Sequence, residues 1–192
     1  RIMHYRDEIH SDLTNDTCKQ IQSRKRHFYK KLIHSGQIKV RNGVLRLINE
    51  LADLNIEQLI VTTSGRDSLE PFLQTSLHSC INFFSHIITY EDVNNHKPYP
   101  DAYNLAVELS NKSSFNCLAI EDSNIGCEAA KAANINCLLT VPPWSSTYNK
   151  VTNEANACVD NLGDINIDSK LIYGKQLITK FVDFTYLTTI IN

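Results

Sequence analysis

Glu121 and Asp122 stand side by side at the end of the apolar run Leu118-Ala119-Ile120, and the small polar turn Ser123-Asn124-Ile125-Gly126 follows them. Hard carboxylate oxygens suit Mg2+, an ion that takes one or two protein carboxylates and completes its octahedron with water and substrate phosphate. The same residues suit a helix start, with Asp122 or Ser123 as the cap and acid near the positive helix end. Both uses are compatible, because the carboxylates can face a ligand while Ser123 caps. A second cluster, Thr62-Thr63-Ser64-Gly65-Arg66-Asp67-Ser68, follows Leu59-Ile60-Val61. Hydroxyls and backbone N–H groups at such a strand-to-helix turn can hold a phosphate, although polar turns of this composition are common without a ligand. Between the two clusters lies His96-Lys97-Pro98-Tyr99-Pro100-Asp101. Lys97 offers a compact cation that can neutralise a phosphoryl group, where most loop lysines are only solvated. Hydroxyls, lysine and acid pair, in that order, are the residue types expected of a magnesium-dependent phosphoryl-transfer site.

Such groups must be held by a scaffold, and the apolar periodicity describes one. Cys18, Ile21, Phe28, Leu32 and Ile33 recur at helical spacing between Asn15 and Ser35, with Asn15 or Asp16 as cap and Gly36 as stop. A shorter helical piece is expected before it, over Arg1 to Leu13. A domain boundary falls at 36 to 42, ahead of the turn dipeptide Asn42-Gly43. Beyond it helices and short apolar strands alternate. Helices are expected at Val44–Leu54, Asp67–Leu77, Pro100–Leu109 and Ile125–Ala133, and strands at Gln58–Thr62, His86–Thr89, Cys117–Ile120 and Cys137–Thr140. Pro142 to Ser146 reads as a loop, Ala157–Val159 as a last short strand, and Phe181–Ile191 as a terminal helix. Alternation of this kind predicts βαβ units and a three-layer, doubly wound parallel sheet. In such sheets ligands bind beyond the carboxyl ends of the strands. Thr62, Thr63, Ser64, Glu121 and Asp122 all fall at those ends, and Lys97 falls in a loop after another.

With Lys and Arg totalling 19 against 21 Asp and Glu, the net charge of −2 gives no ground for a nucleic acid or an anionic membrane as partner. No run approaches the roughly 20 apolar residues of a membrane span, and the first residues lack a secretory apolar core. A soluble intracellular protein is expected. The 6 cysteines show no CxxC pair and read as reduced core thiols. The 7 histidines form no HxH or HExxH pattern, which argues against zinc chemistry.

Ile60-Val61-Thr62-Thr63-Ser64, His96-Lys97-Pro98-Tyr99-Pro100-Asp101 and Ile120-Glu121-Asp122-Ser123-Asn124-Ile125-Gly126 resemble the second, third and fourth motifs of the haloacid dehalogenase superfamily. The K-P-x-P-D and E-D-S-x-x-G forms are similar to its CbbY-like and β-phosphoglucomutase-like branch. Arg24-Lys25, Ile33 to Gly36 and Val40 to Val44 resemble the end of a helical cap and its second linker. The resemblance implies residues 1–37 as the last part of a cap and 38–192 as the α/β core, with the core's first strand missing. It implies a Mg2+-dependent phosphatase acting on a small sugar phosphate, such as xylulose-1,5-bisphosphate, through an aspartyl-phosphate intermediate. Thr62 and Lys97 would be catalytic and would also touch substrate. Further substrate contacts would come from Thr63, Ser64, Gly65, Arg66, Asp67 and Ser68, and from Gln22, Ser23, Arg24 and Lys25 of the cap. Asp122 would be the principal metal ligand, with Glu121 beside it or one layer behind. A monomer in the cytoplasm or plastid stroma is the corresponding expectation. The family's D-x-D-G-T segment, which carries nucleophile and general acid, does not occur in this chain. A fragment of a longer phosphatase is therefore expected, with a phosphohexomutase or a noncatalytic binding protein as alternatives.

Overall fold

In the computed structural model, residues 12–142 and 154–191 are described. They divide into two compact units, 12–39 with 67–78, and 40–66 with 79–142 and 154–191. The helical stretch expected over Arg1 to Leu13 lies outside the described residues up to position 11, and residues 12 and 13 are not helical. The expected loop at Pro142 to Ser146 lies outside them beyond Pro142.

The first unit contains helix α1 (Asn15–His34). Its cap is Thr14, one or two positions ahead of the expected residues, and the Thr14 hydroxyl accepts the Thr17 N–H at 3.1 Å. Cys18 and Ile33 are buried, whereas Ile21, Phe28 and Leu32 remain exposed. Helix α3 (Arg66–Ser76) contributes the buried Leu73 to the same unit, and the Ser76 hydroxyl donates to the Ile38 carbonyl at 3.4 Å.

In the second unit, α2 (Val44–Asp53), β1 (Gln58–Val61), β2 (Phe84–Ile88), α4 (Asp101–Ser110), β3 (Leu118–Glu121), α5 (Asn124–Ala132) and β4 (Asn136–Thr140) follow one another. β5 (Ala157–Val159), β6 (Leu171–Tyr173) and α6 (Phe184–Ile191) complete it. β1 pairs with β2 in parallel, and β3, β4 and β5 pair in parallel in that order. β6 adds to β5 as an antiparallel edge strand that the sequence pattern does not announce. Among the described strands β1 and β3 are not hydrogen-bonded to each other.

Side-chain alternation along β4 explains the layers. Cys137 and Leu139 enter one core with Tyr103, Cys127, Ala129, Ala130 and Ala133 of α4 and the α5 segment. Leu138 points the other way, into a core with Leu47 of α2 and Tyr186, Leu187 and Ile190 of α6. Successive strand residues face opposite sides, so a strand apolar at every position must be covered twice. That is the three-layer α/β arrangement expected. Five of the cysteines are buried, Cys117 is partly so, and none forms a disulfide.

One turn fixes how the chain enters this unit. Gly43 caps α2 with φ +81°, and a Cβ there would collide with Leu162 and the Gly163 carbonyl. Just before it, Arg41 donates to the Thr140 carbonyl and hydroxyl, the Val141 carbonyl and the Asp160 carbonyl, at 2.9 to 3.0 Å. The linker is thus tied to the carboxyl ends of β4 and β5.

Candidate active site

β3 carries its acids to the carboxyl end of the sheet, and the next residue starts α5. Ser123 is the helix cap, as expected: its hydroxyl accepts the Gly126 N–H at 3.3 Å, and its carbonyl accepts the Cys127 N–H at 3.0 Å. The two acids then separate. Glu121 turns inward and Asp122 is exposed.

Glu121 Oε1 accepts hydrogen bonds from the Lys97 ammonium and the Tyr103 hydroxyl. The Lys97 and Glu121 side chains are only 6% and 8% exposed. Lys97 Nζ also donates to the Val61 carbonyl at 3.1 Å and lies 3.4 Å from the Tyr103 hydroxyl, while the Tyr103 ring centroid is 4.7 Å away. A single ammonium thus joins the end of β1 to the end of β3. Two buried charges are tolerated here because each meets its opposite and further hydrogen bonds. Burial pushes the Tyr103 phenol well up, and the Glu121 carboxylate beside it adds to the shift, so the hydroxyl keeps its proton and donates. Glu121 Oε2 faces the start of α5, 3.5 Å from the Ser123 hydroxyl. Only glycine fits at position 126, since a Cβ would overlap this carboxylate.

The hydroxyl cluster occupies the end of β1. Thr62 N–H donates to the Ile88 carbonyl at 2.9 Å, and the Thr62 hydroxyl accepts the Ser64 N–H at 3.0 Å. Among the described residues its own proton has no acceptor, which leaves it to a ligand. Thr63 and Ser64 are exposed. At Arg66 the residues are already engaged: the backbone N–H donates to the Glu91 carboxylate at 3.2 and 3.3 Å, and the guanidinium grips Asp92 at 2.7 and 2.8 Å. The amide expected to meet a phosphate therefore meets Glu91. Gly65 packs against the same carboxylate, with an added Cβ 2.6 Å from Glu91 Oε1.

Thr62 to Arg66, Lys97, Glu121 and Asp122 all belong to the second unit. Asp67 and Ser68 belong to the first, as do Gln22 to Lys25, where Ser23, Arg24 and Lys25 are exposed on α1. Two residues that the motif reading does not single out matter here. Tyr103 supplies the third partner of the Lys97–Glu121 pair, and its place two residues after the K-P-x-P-D run on the sheet-facing side of α4 is the signal that could find it. Arg41 has no signal beyond an isolated charge before a turn.

As for a metal, no group of three or more His, Cys, Asp or Glu side chains that could hold an ion occurs among the described residues. The donor chemistry of Asp122 nevertheless fits Mg2+: an exposed carboxylate at a strand end, without a hydrogen bond from the described residues.

A parallel sheet whose strand ends gather hydroxyls, a lysine and carboxylates defines a haloacid dehalogenase-type core. The family model for haloacid dehalogenase-like hydrolases matches residues 3–140, and the chain belongs to that family. It is similar to a haloacid dehalogenase-like hydrolase domain-containing protein of Arabidopsis thaliana, with 30% identity over 77% of this chain and 46% of that protein. It is likewise 30% identical to the plasmid-encoded CbbY protein of Cupriavidus necator, over 76% of this chain and 60% of the relative. A crystal structure of CbbY from Rhodobacter sphaeroides in complex with xylulose-1,5-bisphosphate has a comparable fold, with a TM-score of 0.70 and 24% identity over 81% of this chain and 68% of that one. The chain spans about half the length of the curated relatives it matches.

Proposed function

We propose that the complete protein is a Mg2+-dependent phosphatase of the CbbY type that hydrolyses a small sugar bisphosphate, with xylulose-1,5-bisphosphate as the leading substrate. The observation that carries this reading is the buried Lys97 ammonium strung between the carboxyl ends of β1 and β3, with an exposed Asp122 next in the chain to its partner Glu121. A cation held dry at a ligand-binding edge is worth far more to developing phosphoryl charge than one in water.

In this reading Thr62 donates its hydroxyl to an oxygen of the transferring phosphoryl group, and Lys97 neutralises that group. Asp122 holds Mg2+, which when bound shields the phosphate charge. Glu121 keeps Lys97 in place. Exposed Thr63 and Ser64 meet the substrate near the same edge, and the Gly65-Arg66 turn shapes it through Glu91 and Asp92. Asp67 and Ser68, with Gln22, Ser23, Arg24 and Lys25, are further candidates for substrate contact, residues 1–37 being the end of a helical cap and 38–192 a core. The attacking aspartate comes from outside the described residues, on a strand laid between β1 and β3. It forms an aspartyl-phosphate that water hydrolyses, with the positive groups positioned around the equatorial oxygens. The protein acts as a monomer in the cytoplasm or a plastid, in keeping with the absence, among the described residues, of any helix long and apolar enough to cross a membrane.

The test is phosphate release by the full-length protein, with Mg2+, from xylulose-1,5-bisphosphate and from a panel of sugar monophosphates. Preferential release from the bisphosphate is expected. Interconversion of hexose phosphates without net release would replace this reading with a mutase, and no turnover of any of them would refute it.

A further inference from the structure

Tyr103 is a buried hydroxyl at the centre of the site to which the phosphoryl chemistry gives no task. Only 6% of the residue is exposed, and its hydroxyl donates to the same Glu121 oxygen that receives the Lys97 ammonium. The ammonium lies 4.7 Å from the ring centroid and reaches the Val61 carbonyl at 3.1 Å. A lysine stem has four rotatable bonds, so its terminal charge needs fixing from several sides before it can act at a defined point. Glu121 fixes it from one side, but a carboxylate can itself swing about its last torsion. On the far side of that carboxylate, Gly126 and the Ser123 hydroxyl limit the swing. On the near side, beside the ammonium itself, the phenol does.

Building on the proposed phosphatase reading, we propose that Tyr103 is a positioning residue: its hydroxyl locks the Glu121 carboxylate and its ring face supports the ammonium, so that Lys97 is aimed before substrate arrives. It touches no reacting atom and acts on catalysis through Glu121 and Lys97.

Tyr103→Phe keeps the ring and removes the hydroxyl. In the full-length protein it should lower kcat about tenfold, the size of one hydrogen bond to a charged group, while KM for the sugar bisphosphate stays within about twofold. Added to Glu121→Ala, it should cost nothing further, because the acceptor that the phenol locks is gone. An independent reading comes from nuclear magnetic resonance of lysine labelled with 13C at Cε, with the Lys97 signal identified by its loss in Lys97→Arg. The two Cε protons should be distinct in the parent protein and averaged in Tyr103→Phe. Parent-like kcat in Tyr103→Phe, a loss that multiplies with that of Glu121→Ala, or an unchanged Lys97 signal would each overturn the assignment. If the parent protein releases no phosphate, the phosphatase reading falls, and the Lys97 signal still decides whether Tyr103 holds this side chain.

Discussion

Glu121 and Asp122 are neighbours in the chain and live in different worlds. Glu121 is buried to 8% exposure with two donors on Oε1, while Asp122 stands exposed and accepts no hydrogen bond from the described residues. Successive residues leaving a strand point to opposite sides, so a pair of adjacent acids divides naturally into an inward and an outward member. The difference teaches that an acid pair at a strand end is two devices. One carboxylate anchors a cation inside the protein, and the other is left for whatever binds outside.

Removing a member of each device should separate them most clearly. Lys97→Met should abolish turnover of the full-length protein by at least about a thousandfold. It should also destabilise the fold by about 3 kcal/mol, since it strips a buried carboxylate of its counter-ion. Asp122→Asn should cost a comparable factor in turnover with a stability change within about 0.5 kcal/mol, as befits an exposed side chain that accepts no hydrogen bond from the described residues. Urea unfolding and phosphate release, measured on the same two variants, check both halves. Equal stability losses would erase the distinction between the inward and outward acids.

A smaller effect sharpens the inward half. Gly126→Ala places a methyl group into the Glu121 carboxylate and should destabilise by about 2 kcal/mol through overpacking. Melting temperatures of parent and variant report it, and an unchanged value would contradict the close approach of Gly126 to the carboxylate.

The smallest effect concerns the neighbouring turn. Thr89 donates its hydroxyl and its N–H to Asp92 at 2.7 Å, and these bonds, with the Arg66 guanidinium, hold the Asp92 carboxyl below the ordinary aspartate range. A folded-state pKa below the unfolded value of about 3.9 adds stability above that pH, and the contribution is lost as pH falls through the lower folded value. Asp92→Asn should therefore flatten the acid limb of the stability profile below about pH 4. Thermal melts from pH 6 to 2 report it, and an acid limb as steep as the parent's would contradict the assignment.

Much of this arrangement is legible in the sequence. The βα alternation after Gly43 places β1, β3 and β4 within a residue or two of their expected positions, because each is an apolar run bounded by turn residues. Ser123 as helix cap is legible for the same local reason. β2 begins two residues earlier than expected, at Phe84, because the 3-10 turn Ile81–Phe83 ahead of it is apolar too and hides the boundary. α6 starts at Phe184 and not Phe181, since Val182 belongs to the core but not to a helix. β6 escapes notice because three residues carry no period of their own; pairing with β5 makes them a strand.

At the site, what is local to a motif is readable and what crosses between motifs is not. Lys97 and Glu121 are each visible as charges, but their bond spans 24 positions, and the Tyr103 hydroxyl joins from 18 positions away. Arg41 reaches carbonyls about 100 residues distant. Nor does sequence show that Glu91 occupies the Arg66 amide, since an acid in a loop looks the same whether it is solvated or seated on a backbone donor.

The most direct measurement is a Mg2+ titration of phosphate release from xylulose-1,5-bisphosphate by the full-length protein, run in parallel on Asp122→Asn. Saturable Mg2+-dependent release by the parent and a loss of it in the variant are expected. Release that is indifferent to Mg2+, or that survives at the parent rate in Asp122→Asn, would contradict the division of labour between the two acids and the phosphoryl chemistry built on it.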